Sequence, residues 1–101
     1  MRIAIFGLGY VGTVTAAGLA SYGHDVCGVD VDQVKVDCIR AGSSPVVEPG
    51  LGRLVAEGVR TGTLSATTDP AQALERADLS LLCVGTPSSP HGGRTSVTWL
   101  G

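Results

Sequence analysis

The sequence predicts an α/β fold, a partial doubly wound parallel sheet of about four strands with flanking helices. Three observations predict it. Short apolar runs at residues 3–6, 25–29, 64–67 and 79–84 read as strands. The first and last are nearly all apolar, which calls for cover on both faces of a sheet. Between the runs lie segments with helical spacing, at residues 10–22, 32–41, 51–60 and 70–76. Finally, Gly7-Leu8-Gly9-Tyr10-Val11-Gly12 joins the first strand to the first helix without a break.

That junction organises the rest. Gly7, Gly9 and Gly12 form Gly-x-Gly-x-x-Gly, and each glycine has a physical task in a dinucleotide-binding turn. Gly7 permits the tight turn out of the strand. Gly9 removes the Cβ that would collide with an approaching pyrophosphate. Gly12 lets the helix lie close on the sheet. The helix start then offers unpaired N–H groups and a partial positive charge to the phosphates. The chain holds 15 glycines, so the motif alone is weak evidence, and its context must strengthen it.

The first helix places Val11, Val14 and Gly18 at helical spacing on one face. Gly23-His24 ends it, and His24 reads as a loop residue, with no acid or nucleophile fixed beside it. The second strand, Asp25-Val-Cys-Gly-Val29, is followed by Asp30. An acid about twenty positions beyond the glycines is where a ribose-binding carboxylate belongs. Strand, glycine turn, helix, strand and acid together predict a Rossmann-like dinucleotide site. A 2′-phosphate about 4 Å from Asp30 would meet a repulsion of order 4 kcal/mol per charge at an effective dielectric near 20. That predicts NAD over NADP.

The second helix repeats Val31, Val34 and Cys38 on one face and stops at Gly42. Lys35 falls near its start. Two readings stay open for it from the residues alone: a solvated lysine, or a cation near the ribose. Residues 43–50 make a loop with two prolines, in which Glu48 reads as a charge near a helix start. The third helix carries the apolar stripe Leu51, Leu54, Val55 and Val59. A turn at residues 61–63 leads to the third strand. Asp69-Pro-Ala-Gln72 then has capping-box spacing, with Pro70 at the first helical position. The fourth strand runs into Gly85-Thr86-Pro87. With strand order 3-2-1-4, the carboxyl ends of strands one and four flank the ligand crevice. Thr86 then faces the glycine turn, as a cofactor hydroxyl or as an ordinary turn residue.

The bulk numbers set bounds. At 101 residues the chain is one domain at most. It buries roughly 60–70% of its unfolded surface, which is marginal. A net charge of −2 argues against a nucleic-acid surface. Cys27, Cys38 and Cys83 are scattered and lack metal-ligand spacing, as expected of a reduced, cytoplasmic protein. Residues 1–24 are apolar and free of acids, but glycines interrupt them, so a secretion signal is not expected. No run is long enough to span a membrane.

Four ordered segments carry a family resemblance: Ile3–Gly12, Gly28-Val-Asp-Val31, Pro45-Val-Val-Glu-Pro-Gly-Leu51 and Cys83-Val-Gly-Thr-Pro87. Together they resemble the UDP-glucose/GDP-mannose dehydrogenase family. The resemblance covers roughly residues 1–89, which it implies are an NAD-binding Rossmann-type domain. Residues 90–101 match loosely and are expected to be a divergent, flexible tail. The family oxidises the C6 alcohol of a sugar nucleotide to a carboxylate in two hydride transfers to NAD. The resemblance implies cofactor contacts at Gly7, Gly9, Tyr10, Val11, Gly12, Asp30, Lys35 and Thr86, and leaves Glu48 without a chemical role. It also implies a longer protein with a catalytic cysteine, a catalytic lysine and a sugar-nucleotide domain in later segments, and a homo-oligomer. None of the three cysteines matches the nucleophile. A non-enzymatic NAD-binding fragment is therefore the alternative reading. A flavin or 3-hydroxyacid dehydrogenase module shares the glycine motif but not the other segments. Ending at Gly101 is expected to leave the fourth strand with an unpaired apolar edge, prone to self-association.

Overall fold

A computed structural model describes the backbone of residues 1–85 and 95–100 and the side chains of residues 1–83. The elements run β1 (Arg2–Phe6), α1 (Tyr10–Ser21), β2 (Asp25–Val29), α2 (Gln33–Arg40), α3 (Leu51–Thr61), β3 (Leu64–Thr67), α4 (Pro70–Arg76), β4 (Leu79–Gly85) and β5 (Thr95–Leu100). They form one sheet in the order β3-β2-β1-β4-β5. The first four strands are mutually parallel, in the predicted order.

Alternation along the strands sorts side chains to two faces. Ile3, Ile5, Val26, Leu64 and Leu81 point to the larger core, with Ala16, Ala17 and Ala20 of α1, Val36 and Ile39 of α2, and Leu51 and Val55 of α3. Ala4 and Val29 point the other way, to a small core closed by Ala73 of α4. Among the described residues three helices thus cover one face and a single short helix covers part of the other.

Two helices bury a different face from the one predicted. In α1 the buried residues are Gly12, Thr13, Ala16, Ala17 and Ala20, while Val14 is exposed. The helix lies so close to the sheet that only small side chains fit beneath it, which turns the larger valine outward. In α2, Val36 and Ile39 are buried, whereas Val31 and Val34 are exposed. Asp32 caps this helix by accepting from the Val34 N–H at 2.9 Å, and that cap sets the phase of the helix against the sheet. In α3, Leu51 and Val55 are buried and Leu54 is 40% exposed. Asp69 caps α4 by accepting from the Ala71 and Gln72 N–H groups, at 3.0 and 3.4 Å. The reciprocal half of the predicted capping box is replaced. The Gln72 carbonyl accepts from the Thr67 hydroxyl at 3.1 Å, and the Thr67 hydroxyl accepts from the Asp69 N–H at 3.1 Å.

The expected bare β4 edge is also corrected. Residues 95–100 form β5, antiparallel to β4 from Ser80↔Leu100 to Gly85↔Thr95. Thr-Ser-Val-Thr-Trp-Leu is rich in β-branched and aromatic residues. The unpaired N–H and C=O groups of β4 give such a segment a template.

Packing of α3 on the sheet yields a paired prediction. A Cβ on Gly58 would stand 2.8 Å from the Leu64 Cβ and 3.6 Å from the Ala20 Cβ, whereas one on Gly52 meets nothing within 4 Å. Gly52→Ala is expected to stabilise the domain by about 0.5–1 kcal/mol through helix propensity. Gly58→Ala is expected to destabilise it by about 1–2 kcal/mol, because overpacking outweighs the same gain. Urea unfolding of the two variants checks the opposite signs.

Candidate functional site

The site is built at the carboxyl ends of β1 and β2. Gly7 leaves β1 with φ +102°, a conformation that other residues rarely adopt. Its N–H donates to the Val29 carbonyl at 2.8 Å, which ties the turn to β2. Leu8 follows and is 1% exposed. It packs over Gly28, where an added Cβ would come within 2.6 Å of the Leu8 Cδ2. Gly9 is the N-cap of α1, in extended conformation and with no side-chain cap. A Cβ there meets nothing within 4 Å, so the space beside it is open. At Gly12 an added Cβ would lie 1.6 Å from the Gly7 carbonyl oxygen. The helix and the turn touch backbone to backbone.

Asp30 points at this bend. One carboxylate oxygen accepts from the Leu8 N–H at 2.8 Å, and the other accepts from the Asp32 N–H at 2.8 Å. A carboxylate has about four lone-pair sites, so acceptor capacity remains on both oxygens. The anchoring of the turn by Asp30 was not legible in the sequence. Nor was Thr13, which is fully buried and donates its hydroxyl to the Leu8 carbonyl at 3.1 Å. A threonine one turn into a helix gives no such signal until the loop is seen folding back over it.

The electrostatics favour an anion. Helix α1 has no acid in its first turn and no capping side chain. Its first N–H groups therefore have no partner within the helix, and they carry the positive end of its dipole. Thr13 N–H, the first donor with an in-helix partner, bonds the Gly9 carbonyl at 2.9 Å. These donors, the open space at Gly9 and the carboxylate at Asp30 fit a pyrophosphate joined to a ribose.

The structure brings Gly7, Gly9, Tyr10, Val11, Gly12 and Asp30 together around one bend. Val11 is half-buried against the main core, while Tyr10 is 53% exposed. Lys35 is half-buried on α2, in the helical turn that follows Asp30 and Asp32. Thr86 lies outside the described residues. Cys83 is buried beneath the bend, with its Cβ 3.6 Å from the position of an added Gly12 Cβ. Burial pushes its thiol pKa up, so it packs as a small apolar group.

Glu48, expected as a helix-start charge, comes to the site instead. Its carboxylate stands near the Tyr10 phenol and holds that pKa above its ordinary value. Glu48→Gln is expected to return Tyr10 to an ordinary phenol titration. Phenolate absorbance against pH, in a Tyr22→Phe background, checks it; an unchanged titration contradicts the contact.

Comparison with known proteins agrees with this geometry. The profile of the UDP-glucose/GDP-mannose dehydrogenase family, NAD binding domain, matches residues 1–99. The GDP-mannose 6-dehydrogenase of Azotobacter vinelandii is 58% identical over 92 residues, which are 91% of this chain and 21% of that protein. The UDP-glucose 6-dehydrogenase of Rhizobium meliloti is 39% identical over 100 residues, 99% of this chain and 23% of that protein. Among solved structures, a ternary complex of GDP-mannose dehydrogenase from Pseudomonas aeruginosa superposes with a TM-score of 0.87 at 53% identity. It covers 95% of this chain and 22% of that one. The chain thus spans about a fifth of the length of these relatives. A glycine bend, an acid aimed into it and a match over nearly every residue lead to one assignment: the chain belongs to the UDP-glucose/GDP-mannose dehydrogenase family, as its NAD-binding domain.

Proposed function

We propose that this domain holds NAD through the bend at Gly7–Gly12 and serves a nucleotide-sugar 6-dehydrogenase. The substrate would be GDP-mannose or UDP-glucose, oxidised at the C6 alcohol to the uronate. The single observation that carries the binding mode is the Asp30 carboxylate, fixed by two N–H donors at the mouth of the bend. Gly9 and the first N–H groups of α1 receive the pyrophosphate, with the backbone of Tyr10 and Val11 beside it. Asp30 accepts from the adenosine ribose hydroxyls, and Lys35 supports that end with its charge. Thr86, after β4, contributes a hydroxyl to the same cofactor. Bound NAD supplies a hydride acceptor for the alcohol carbon.

Higher identity to the GDP-mannose 6-dehydrogenase than to the UDP-glucose 6-dehydrogenase supports the former substrate. None of Cys27, Cys38 and Cys83 stands as a nucleophile in the bend, so catalysis draws on other polypeptide. All three thiols are free, which supports a reducing, cytoplasmic setting. Among the described residues no helix is long and apolar enough to cross a membrane. A homo-oligomer is part of the same proposal.

A chimera tests the reading. This chain replaces the matching amino-terminal fifth of the Azotobacter vinelandii GDP-mannose 6-dehydrogenase. NADH formation with GDP-mannose is then followed. Activity that is lost in the Asp30→Asn chimera supports the proposal. A folded chimera that binds no NAD overturns it.

A further inference from the structure

A cavity bounded by described residues lies away from the glycine bend. Its volume is about 630 Å³, and Arg2, Asp25, Cys27, Arg40, Ser65 and Arg76 are among its walls. This is the size of a small-molecule pocket. It opens on the face of the sheet that α4 covers only in part. Three of the chain's seven cationic side chains line it together with one carboxylate, in a chain whose net charge is negative. None of the three arginines is in an ion pair among the described residues, where Arg60 and Glu57 form the one pair. Arg40 is held in place through its Nε, which donates to the Ala66 carbonyl at 2.9 Å. Its terminal nitrogens remain for another acceptor. Gln72, also on the wall, gives its carbonyl to the Thr67 hydroxyl and keeps its amide N–H₂.

Burial pushes the Cys27 thiol pKa up; Ser65 lowers it by a hydrogen bond, Asp25 raises it, and the fields of Arg40 and Arg76 lower it. The charges of both guanidinium groups therefore reach the half-buried Cys27 thiol. Unpaired guanidinium forks around a walled space match the oxygens of phosphate or carboxylate groups.

We propose that this cavity is a second ligand site, for a small polyanion of the pyrophosphate or sugar-phosphate class, held by Arg2, Arg40 and Arg76. It is separate from the NAD site: its floor is Cys27 and Ser65 on the opposite face of the sheet from Leu8 and α1. Asp25 sets the selectivity, because it repels any anion that does not reach at least two of the arginines.

The test is a titration of the full chain with sodium pyrophosphate, followed by backbone amide resonances. Saturable shifts are expected at Cys27, Ser65 and Ala77, distinct from any at Gly9–Val11. The Arg40→Gln, Arg76→Gln double variant should bind at the first set at least tenfold more weakly, with the Gly9–Val11 set unchanged. That unchanged set, together with preserved amide dispersion, shows that the variant is folded. Raised salt should weaken binding. Shifts confined to Gly9–Val11, or equal affinity in the double variant, would overturn the proposal. Tighter saturation by a hexaglutamate peptide would overturn it in favour of a protein partner. Failure of the NAD assignment would leave these outcomes unaffected, since they are read at different amides.

Discussion

A Gly12→Ala chain is expected to lose about 3 kcal/mol or more of stability, and its affinity for NAD with it. The new Cβ would sit 1.6 Å from the Gly7 oxygen and 2.8 Å from the Gly7 carbonyl carbon. Both are backbone atoms, so no side chain can swing aside. Either α1 moves off the sheet or the turn opens. The first choice separates Ala16, Ala17 and Ala20 from the strands they cover. The second disturbs the bonds from Gly7 N–H to Val29 and from Leu8 N–H to Asp30. Alanine's helix propensity returns only about 1 kcal/mol. Domains of this kind have roughly 5–15 kcal/mol in hand, so the loss is large. Urea denaturation with calorimetric NAD titration checks both parts. A variant within about 1 kcal/mol of the parent, by the same extrapolation, would show that the helix is not seated on the turn.

The second large effect is expected at Asp30, where two jobs can be separated by the choice of replacement. Asp30→Asn keeps the shape but loses the charge and half of the acceptors. Hydrogen bonds to a charged group contribute about 1.5–3 kcal/mol, so NAD affinity should fall about tenfold to a hundredfold. Discrimination against NADP should narrow in the same variant, since the repulsion of the 2′-phosphate is removed. Asp30→Ala goes further, because the N–H groups of Leu8 and Asp32 lose their acceptor. Leaving a partly buried donor unpaired costs about 1–3 kcal/mol. The alanine variant should therefore melt below the asparagine variant as well as bind poorly. Calorimetry with both cofactors checks affinity, and thermal unfolding checks stability. Equal affinity of the parent chain for NAD and NADP would contradict the role of the carboxylate.

The bend was legible in the sequence because its constraints are local and steric. A glycine required by φ +102° at Gly7, or by a contact at Gly12, leaves a mark that no other residue can imitate. Strand order was legible for a similar reason: the apolar runs need cover on both faces, and short crossovers permit few arrangements. Helix phase was not legible. Val31 and Val34 look like a buried stripe, yet Val36 and Ile39 are the pair that meets the core. Which stripe wins depends on where the Asp32 cap starts the helix, and on what the strands beneath leave room for. The Tyr10–Glu48 contact and the hydroxyl of Thr13 on Leu8 were hidden too. Both join residues whose proximity exists only after the loops have folded.

The first strand occupies the middle of the sheet, and its closing neighbour, β4, is the eighth element in the chain. Arg2 and Asp78 exchange backbone bonds at 2.8 Å, and at 3.0 Å through the Asp78 carboxylate, across a separation of 76 residues. During synthesis Ile3 and Ile5 must wait until Leu79–Gly85 has been made before their second side is covered. Assembly is therefore governed by long-range loop closure and should be slow for a domain of this size. The interval in which that early segment stands half-paired is the period of greatest exposure to chaperones and to misassembly on the ribosome.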